Sequence, residues 1–187
     1  PASLLFLACS GAKAVHLFER PQYDGEPIDE TPGSGLSQLA ILAAARASTG
    51  LDLDVVIVSI GGNDAKFGTI AQTCVGPGDC TELGQRWLDG LADTERQVRA
   101  AYAALRAAVG PDVTVVAVPY PVPLNESGCS WSALSASEHR FLNGFTKELN
   151  EVIRTEAAVA GFHYLDTVAS AFERLGLRLC DGEADRV

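Results

Sequence analysis

Methionine is absent from the 187 residues, tryptophan occurs twice and histidine three times, and basic residues are scarce, with 14 Lys plus Arg against 24 Asp plus Glu. The formal charge of −10 at pH 7 works against contact with a polyanion, because neutralising phosphates supplies most nucleic-acid affinity. The few basic residues are scattered singly, so no nucleic-acid partner is expected. His16, His139 and His163 form no compact ligand pattern, and structural zinc is a poor fit. No apolar run reaches the roughly 20 residues needed to cross a bilayer, so no transmembrane segment is expected. Neither GxGxxG nor GKS/GKT occurs, which removes the common phosphate-cradling loops. The five cysteines contain no CxxC spacing, which removes the usual redox and zinc-knuckle motifs.

What is present is enough for one core. At 187 residues and 47% hydrophobic, the chain is expected to form a single domain over residues 1–187. Ser3–Ala8 reads as a short buried strand, Arg20–Gly35 as an exposed loop dense in Pro, Gly, Asp and Glu, and Leu36–Ser48 as a helix with Ser34 or Ser37 as cap and Gly50 as stop. Asp54–Ile60 has too little polarity for a half-exposed strand, so both faces are expected to be covered. A loop follows through Cys74 and Cys80, then one long helix from about Glu82 to Val109 ended by Gly110-Pro111. Val113–Val118 gives another buried strand, closed by Pro119-Tyr120-Pro121. Ser127–Ser135 reads as a polar loop around Trp131. A helix starting at Ser137 and running to near Gly161 follows, with His139 on its exposed side. Phe162–Leu165 is a short strand with Asp166 at its carboxyl end. This alternation predicts a three-layer α/β/α sandwich with a mainly parallel sheet.

In such sheets ligands bind beyond the carboxyl ends of the strands. Ser10, Gly11, Gly61 to Asp64, Tyr120 and Asp166 fall there. Gly62, without a Cβ, allows close approach of a substrate, and Asn63 can donate a side-chain N–H to an oxygen that gains negative charge in acyl transfer. A tight turn with local Asn/Asp hydrogen bonds accounts for the same four residues equally well. Tyr120 either lines an acyl pocket or packs on the sheet. Cys74 and Cys80 bracket a Val-Gly-Pro-Gly-Asp segment, which fits a loop closed by a disulfide or two free thiols. Cys129 and Cys180 stand in loop-like surroundings. Bridges at both places imply an oxidising, extracellular setting and leave Cys9 unpaired.

Several blocks taken together are more specific. Leu7-Ala8-Cys9-Ser10-Gly11-Ala12, Gln38, Val58-Ser59-Ile60-Gly61-Gly62-Asn63-Asp64 with Phe67, and the Cys74/Cys80 loop occur in that order. Val116-Ala117-Val118-Pro119-Tyr120-Pro121, Asn143, Leu149-Asn150, Phe162–Asp166, Phe172 and Leu179-Cys180 follow. In this order they resemble the secreted actinobacterial branch of the SGNH, or GDSL, hydrolases over nearly the whole chain. The resemblance implies a flavodoxin-like sheet and an ester hydrolase, of lipase or esterase type, that works through a serine acyl-enzyme without a metal or organic cofactor. It places the oxyanion-hole glycine on Gly11 and the oxyanion-hole asparagine on Asn63.

The departures are as informative. The family's Gly-Asp-Ser nucleophile block and its Asp-x-x-His base block do not occur in these residues, although Asp181 and Asp185 stand near the expected end. The secreted relatives usually carry three disulfides, the first joining the cysteine of the Cys-Ser-Gly-Ala segment to one upstream. An unpaired Cys9, a Pro1 start and a polar finish at Val187 therefore fit a chain cut at both ends, whose missing or separate segment pairs with Cys9. The expected substrate is a small-molecule or lipid ester. The rival reading is a non-catalytic acyl- or glycan-binding domain on the same fold.

Overall fold

The computed structural model describes residues 4–22, 35–130 and 132–182. The expectations for Ser34, Trp131 and Asp185, and for most of the Arg20–Gly35 loop, lie outside them. Three parallel strands, β1 (Val55–Val58), β2 (Thr114–Ala117) and β3 (His163–Tyr164), lie in the order β1-β2-β3. Val55 pairs with Thr114 and Val116 with His163, so β2 is central. The predicted parallel α/β class is what the chain forms.

Helices α1 (Ala14–Phe18), α2 (Gln38–Thr49), α3 (Phe67–Val75), α4 (Gly84–Asp89), α5 (Leu91–Val109), α6 (Ala136–Val159) and α7 (Ala171–Leu175) complete the order. Local chemistry sets their ends. Ser37 caps α2 by accepting the Ala40 N–H, and Gly50 ends it in the left-handed region at φ 66°, where a Cβ would be costly. The start of α6 is Ser135 rather than Ser137: its hydroxyl accepts the Glu138 N–H while Glu138 reaches back to the Ser135 N–H. This reciprocal pair satisfies two amides that a helix start otherwise leaves open. Hydrogen bonds from the Ser135 and Cys80 amides hold the Glu138 carboxyl below its ordinary range, although burial pulls the other way.

Val98, Ala101, Tyr102 and Leu105 of α5 and Leu142, Phe145, Leu149 and Ile153 of α6 are buried at three- and four-residue steps, the spacing of one helical face. A bidentate pair joins the two helices, with Arg99 Nε and Nη2 donating to Glu156 at 2.9 and 2.7 Å. Arg106 donates to the carbonyls of Gly110, Val113, Ala160 and Gly161, tying the ends of α5 and α6 to the start of β2.

Four further expectations are corrected. The described residues 4–8 form no strand, and Leu4 and Phe6 are exposed, because no neighbouring strand pairs with them among the described residues. The loop through the cysteines contains α3, whose Ile70 and Cys74 are buried on one face. The long helix from Glu82 is a 3₁₀ turn (Cys80–Leu83), α4 and α5, divided at Gly90, a residue that weakens helix continuity. Finally, β1 is not covered on both sides. Val58 is buried while Val55 and Ile57 are 53% and 71% exposed, because side chains alternate along a strand and, among the described residues, nothing packs on the second face.

Candidate active site

The site is built where β1 ends. Gly61 has φ 112°, and a Cβ there would stand 3.1 Å from Val98 of α5, so only glycine fits both the turn and the packing. The chain then winds tightly: Ala65 N–H donates to Gly61 O, Lys66 N–H to Asn63 O and Phe67 N–H to Gly62 O. This delivers the backbone directly into α3. The backbone of Gly61 to Asp64 is thus a tight turn.

The side chains of this turn reach further. Asn63 Nδ2 donates to the Ala12 carbonyl at 2.9 Å. Both oxygens of Asp64 accept the Ala14 N–H, at 3.1 and 3.0 Å. A carboxylate at the first residue of α1 meets an otherwise open amide and the positive end of the helix. Burial nonetheless raises the Asp64 carboxyl above its ordinary value, opposed by the Ala14 amide, Lys13 and His16. The two bonds fix the 61–64 turn against the 12–14 segment, fifty residues earlier in the chain.

On the other side stands Tyr120. Its hydroxyl accepts the Gly62 N–H at 2.9 Å, and a Cβ on Gly62 would come within 2.9 Å of the phenol ring and oxygen. Close approach at Gly62 is thus used by Tyr120. Burial raises the tyrosine's pKa, against the pull of the Gly62 amide, so the phenol stays neutral. Tyr120 is in turn gripped by Asn150 of α6, whose Oδ1 accepts the Tyr120 N–H at 2.9 Å and whose Nδ2 donates to its carbonyl at 2.8 Å. Asn143, two turns earlier, holds both backbone groups of Leu124 in the same way.

Beside this turn lies a cavity of about 310 Å³ lined by Gly62, Asn63, Phe67, Gly68, Tyr120, Pro121, Pro123, Thr146, Leu149 and Phe172. Its walls are almost entirely hydrocarbon. The Thr146 hydroxyl donates its proton to the Leu142 carbonyl at 2.9 Å, so it has no donor left for the interior. Sequence reasoning placed Gly62, Asn63 and Tyr120 here but gave no role to Gly68, Pro123 or Thr146, and missed Asn150 as the clamp on Tyr120. Two asparagines seven apart on the helix face that carries Leu142, Phe145, Leu149 and Ile153 were the available signal, since buried amides need partners.

The remaining candidates are placed elsewhere. Gly11 has φ 78° and is exposed; it precedes Ala12, which takes the Asn63 bond, and is not among the residues lining the cavity. Ser10 is occupied at its carbonyl by Gln22 Nε2. Asp166 lines a second, charged cleft of about 350 Å³ with Lys147, Glu151, Arg154 and Tyr164, where burial first, and then Asp166 and Glu151, push the Tyr164 phenol up to about 12. His139 is not an exposed helical residue: it is fully buried, with Nδ1 2.6 Å from the Asn125 carbonyl and Nε2 3.2 Å from Ser132 Oγ. This burial is not legible locally, because the partners come from the loop ahead of α6. His163 is exposed on β3.

Cys74 is bonded to Cys80 and Cys129 to Cys180, while Cys9 is a free, exposed thiol. Cys74, Cys80 and Glu138 converge closely enough to suggest a metal site. The disulfide consumes both thiolates, however, and Glu138 is committed to the Cys80 and Ser135 amides, so these residues do not fit one. No helix among the described residues is long and apolar enough to cross a membrane.

The chain matches the model of the GDSL-like lipase/acylhydrolase family over residues 2–187. No curated protein sequence matches it. Its structure is similar to phospholipase A1 from Streptomyces albidoflavus, with 28% identity and a TM-score of 0.62, over 75% of this chain and 61% of that one. It is also similar to an extracellular lipase from Streptomyces rimosus, with 25% identity and a TM-score of 0.61, over 74% of this chain and 61% of that one. The chain therefore spans about three fifths of the length of each.

Proposed function

Because the chain belongs to the GDSL-like lipase/acylhydrolase family, we propose that it forms the oxyanion-stabilising and acyl-binding part of an extracellular serine ester hydrolase. The observation that carries this is Asn63, whose amide is fixed to the Ala12 carbonyl at 2.9 Å while lining an apolar cavity. One N–H of that amide is spent on Ala12, which orients the other toward a substrate oxygen. A donor held in place before charge develops stabilises the transition state without reorganising. Gly11, next to Ala12, is the proposed second donor through its backbone N–H.

In the proposed reaction a serine oxygen attacks the ester carbonyl carbon while a histidine takes its proton. The carbonyl π electrons move onto the oxygen facing Asn63 and Gly11. Collapse breaks the ester C–O bond, the histidine returns the proton to the departing alcohol, and water then hydrolyses the acyl-enzyme by the same sequence of steps. The serine and the histidine belong to Gly-Asp-Ser and Asp-x-x-His blocks that are not among these 187 residues, so polypeptide outside them supplies both. Cys9, exposed and unbonded to another cysteine, is the proposed attachment point for that polypeptide. Two disulfides fit an oxidising compartment.

A serine-directed fluorophosphonate tests this reading. The complete gene product is expected to be labelled at a serine outside these residues, and replacing Asn63 by Ala is expected to lower kcat by about 10²–10³. The absence of the two catalytic blocks also favours a non-catalytic acyl-binding domain. A complete product that resists labelling yet binds acyl chains selects that reading instead.

A further inference from the structure

We propose that Gly68 sets the length of the acyl chain this cavity accepts, and that the chain is a single unbranched one of medium length. The inference rests on the acyl-binding reading of the cavity and adds the residue that limits it. The cavity's about 310 Å³ is roughly twice the ~150 Å³ that admits the six carbons of a benzene ring, which scales to room for about ten to twelve carbons. Phe67, Pro121, Pro123, Leu149 and Phe172 present hydrocarbon, and Thr146 keeps its hydroxyl for the helix backbone. A sugar needs several polar partners for its hydroxyls, and these walls do not provide them. Polar groups occur only at the Gly62, Asn63 and Tyr120 side, which orients the carbonyl end of an acyl chain toward Asn63 and its tail toward the apolar walls.

Gly68 is the lining residue with space to fill. It is the second residue of α3, is exposed, and has no heavy atom within 4 Å of where its Cβ would stand. Gly62, the other lining glycine, is already in contact with the Tyr120 ring at that distance. A helix position with open space ordinarily favours alanine over glycine. Glycine here keeps this stretch of the cavity wall without a side chain.

The test is a titration of the 187-residue chain with unbranched 1-alkanols from butanol to tetradecanol, read by calorimetry. Affinity is expected to rise about fourfold per methylene and to level off near decanol. In Gly68→Leu the levelling point is expected about four carbons earlier, one for each added heavy atom, and in Gly68→Ala about one carbon earlier. Gly144→Leu on α6, outside the cavity, is expected to keep the original levelling point. Thermal melts establish that each variant is folded, and Gly68→Ala decides the matter if Gly68→Leu is not. An unchanged levelling point in the Gly68 variants overturns the role of Gly68 and leaves the hydrolase reading standing, as does an equal shift in Gly144→Leu. Binding without dependence on chain length overturns the cavity as an acyl site. Serine labelling of the complete product is independent of all these outcomes and alone decides the hydrolase reading.

Discussion

The Tyr120 hydroxyl and the Gly62 amide are joined at 2.9 Å, and the same ring fills the space a Gly62 Cβ would need. One contact therefore supplies both a hydrogen bond and a steric limit, and it positions Asn63 through the adjoining peptide. Tyr120→Phe removes only the bond, leaving the Gly62 N–H without its acceptor, and is expected to cost about 1–3 kcal/mol. Gly62→Ala forces the ring aside and is expected to cost about 1–3 kcal/mol by overpacking. Combining Gly62→Ala with Tyr120→Ala is expected to cost less than the sum of the two single changes, because the clash disappears with the ring. Urea denaturation of the four proteins checks it, and strict additivity would show that the contact is not energetically coupled.

Acid sensitivity is expected to arise around the second disulfide. Asp181 receives hydrogen bonds from the Arg178 guanidinium and backbone amide and from Asn125 Nδ2, and Arg178 is the main cause holding its carboxyl below the ordinary range. A carboxyl with a lowered folded-state pKa stabilises the fold above its unfolded value and loses that contribution as pH falls through the folded one. Asp64 has the opposite sign, since burial raises its pKa and the native state then binds the proton more readily than the unfolded chain. Asp181→Asn is expected to be less stable than the parent near neutral pH by about 1–3 kcal/mol. The gap is expected to close as pH drops below about 4. Urea midpoints at a series of pH values measure it, and a gap that widens in acid would refute the assignment.

The two disulfides are expected to differ in weight. Cys74 and Cys80 are 6 residues apart, and Cys129 and Cys180 are 51 apart. In the loop-entropy description the shorter bridge contributes about 2 kcal/mol and the longer about 4 kcal/mol. Replacing each pair by serine and comparing denaturation free energies tests the order. A larger loss from the Cys74/Cys80 pair would mean that its burial in the core, not loop closure, dominates.

How much of this was legible in the sequence depended on whether a residue's role was local. The Ser37 and Gly50 ends of α2 were readable because capping is a matter of a few neighbouring residues. The Gly61–Asp64 turn, Asn63 and Tyr120 at strand ends were readable because the parallel α/β order fixes where strands finish. The burial of His139 was not, since Asn125 and Ser132 reach it only once the preceding loop folds back over α6. Nor was α3, because its start at Lys66 has no side-chain cap and its glycine and threonine composition reads as loop. The coverage of β1 was misread for a further reason. The run Val55-Val56-Ile57-Val58 has the same composition whether one face or both are packed, and only the placement of the helices decides.

That last point yields a direct comparison on the two faces of the sheet. Ile57 is 71% exposed and Val115 is 1% exposed, on opposite faces of neighbouring strands. Ile57→Thr keeps a β-branched residue suited to a strand and removes little buried surface, so its stability is expected to stay within about 0.5 kcal/mol of the parent. Val115→Ala empties packed volume beneath the helices and is expected to cost about 2 kcal/mol. Urea denaturation of the 187-residue chain distinguishes the two. If Ile57→Thr costs as much as Val115→Ala, the Val55 and Ile57 face is covered in solution.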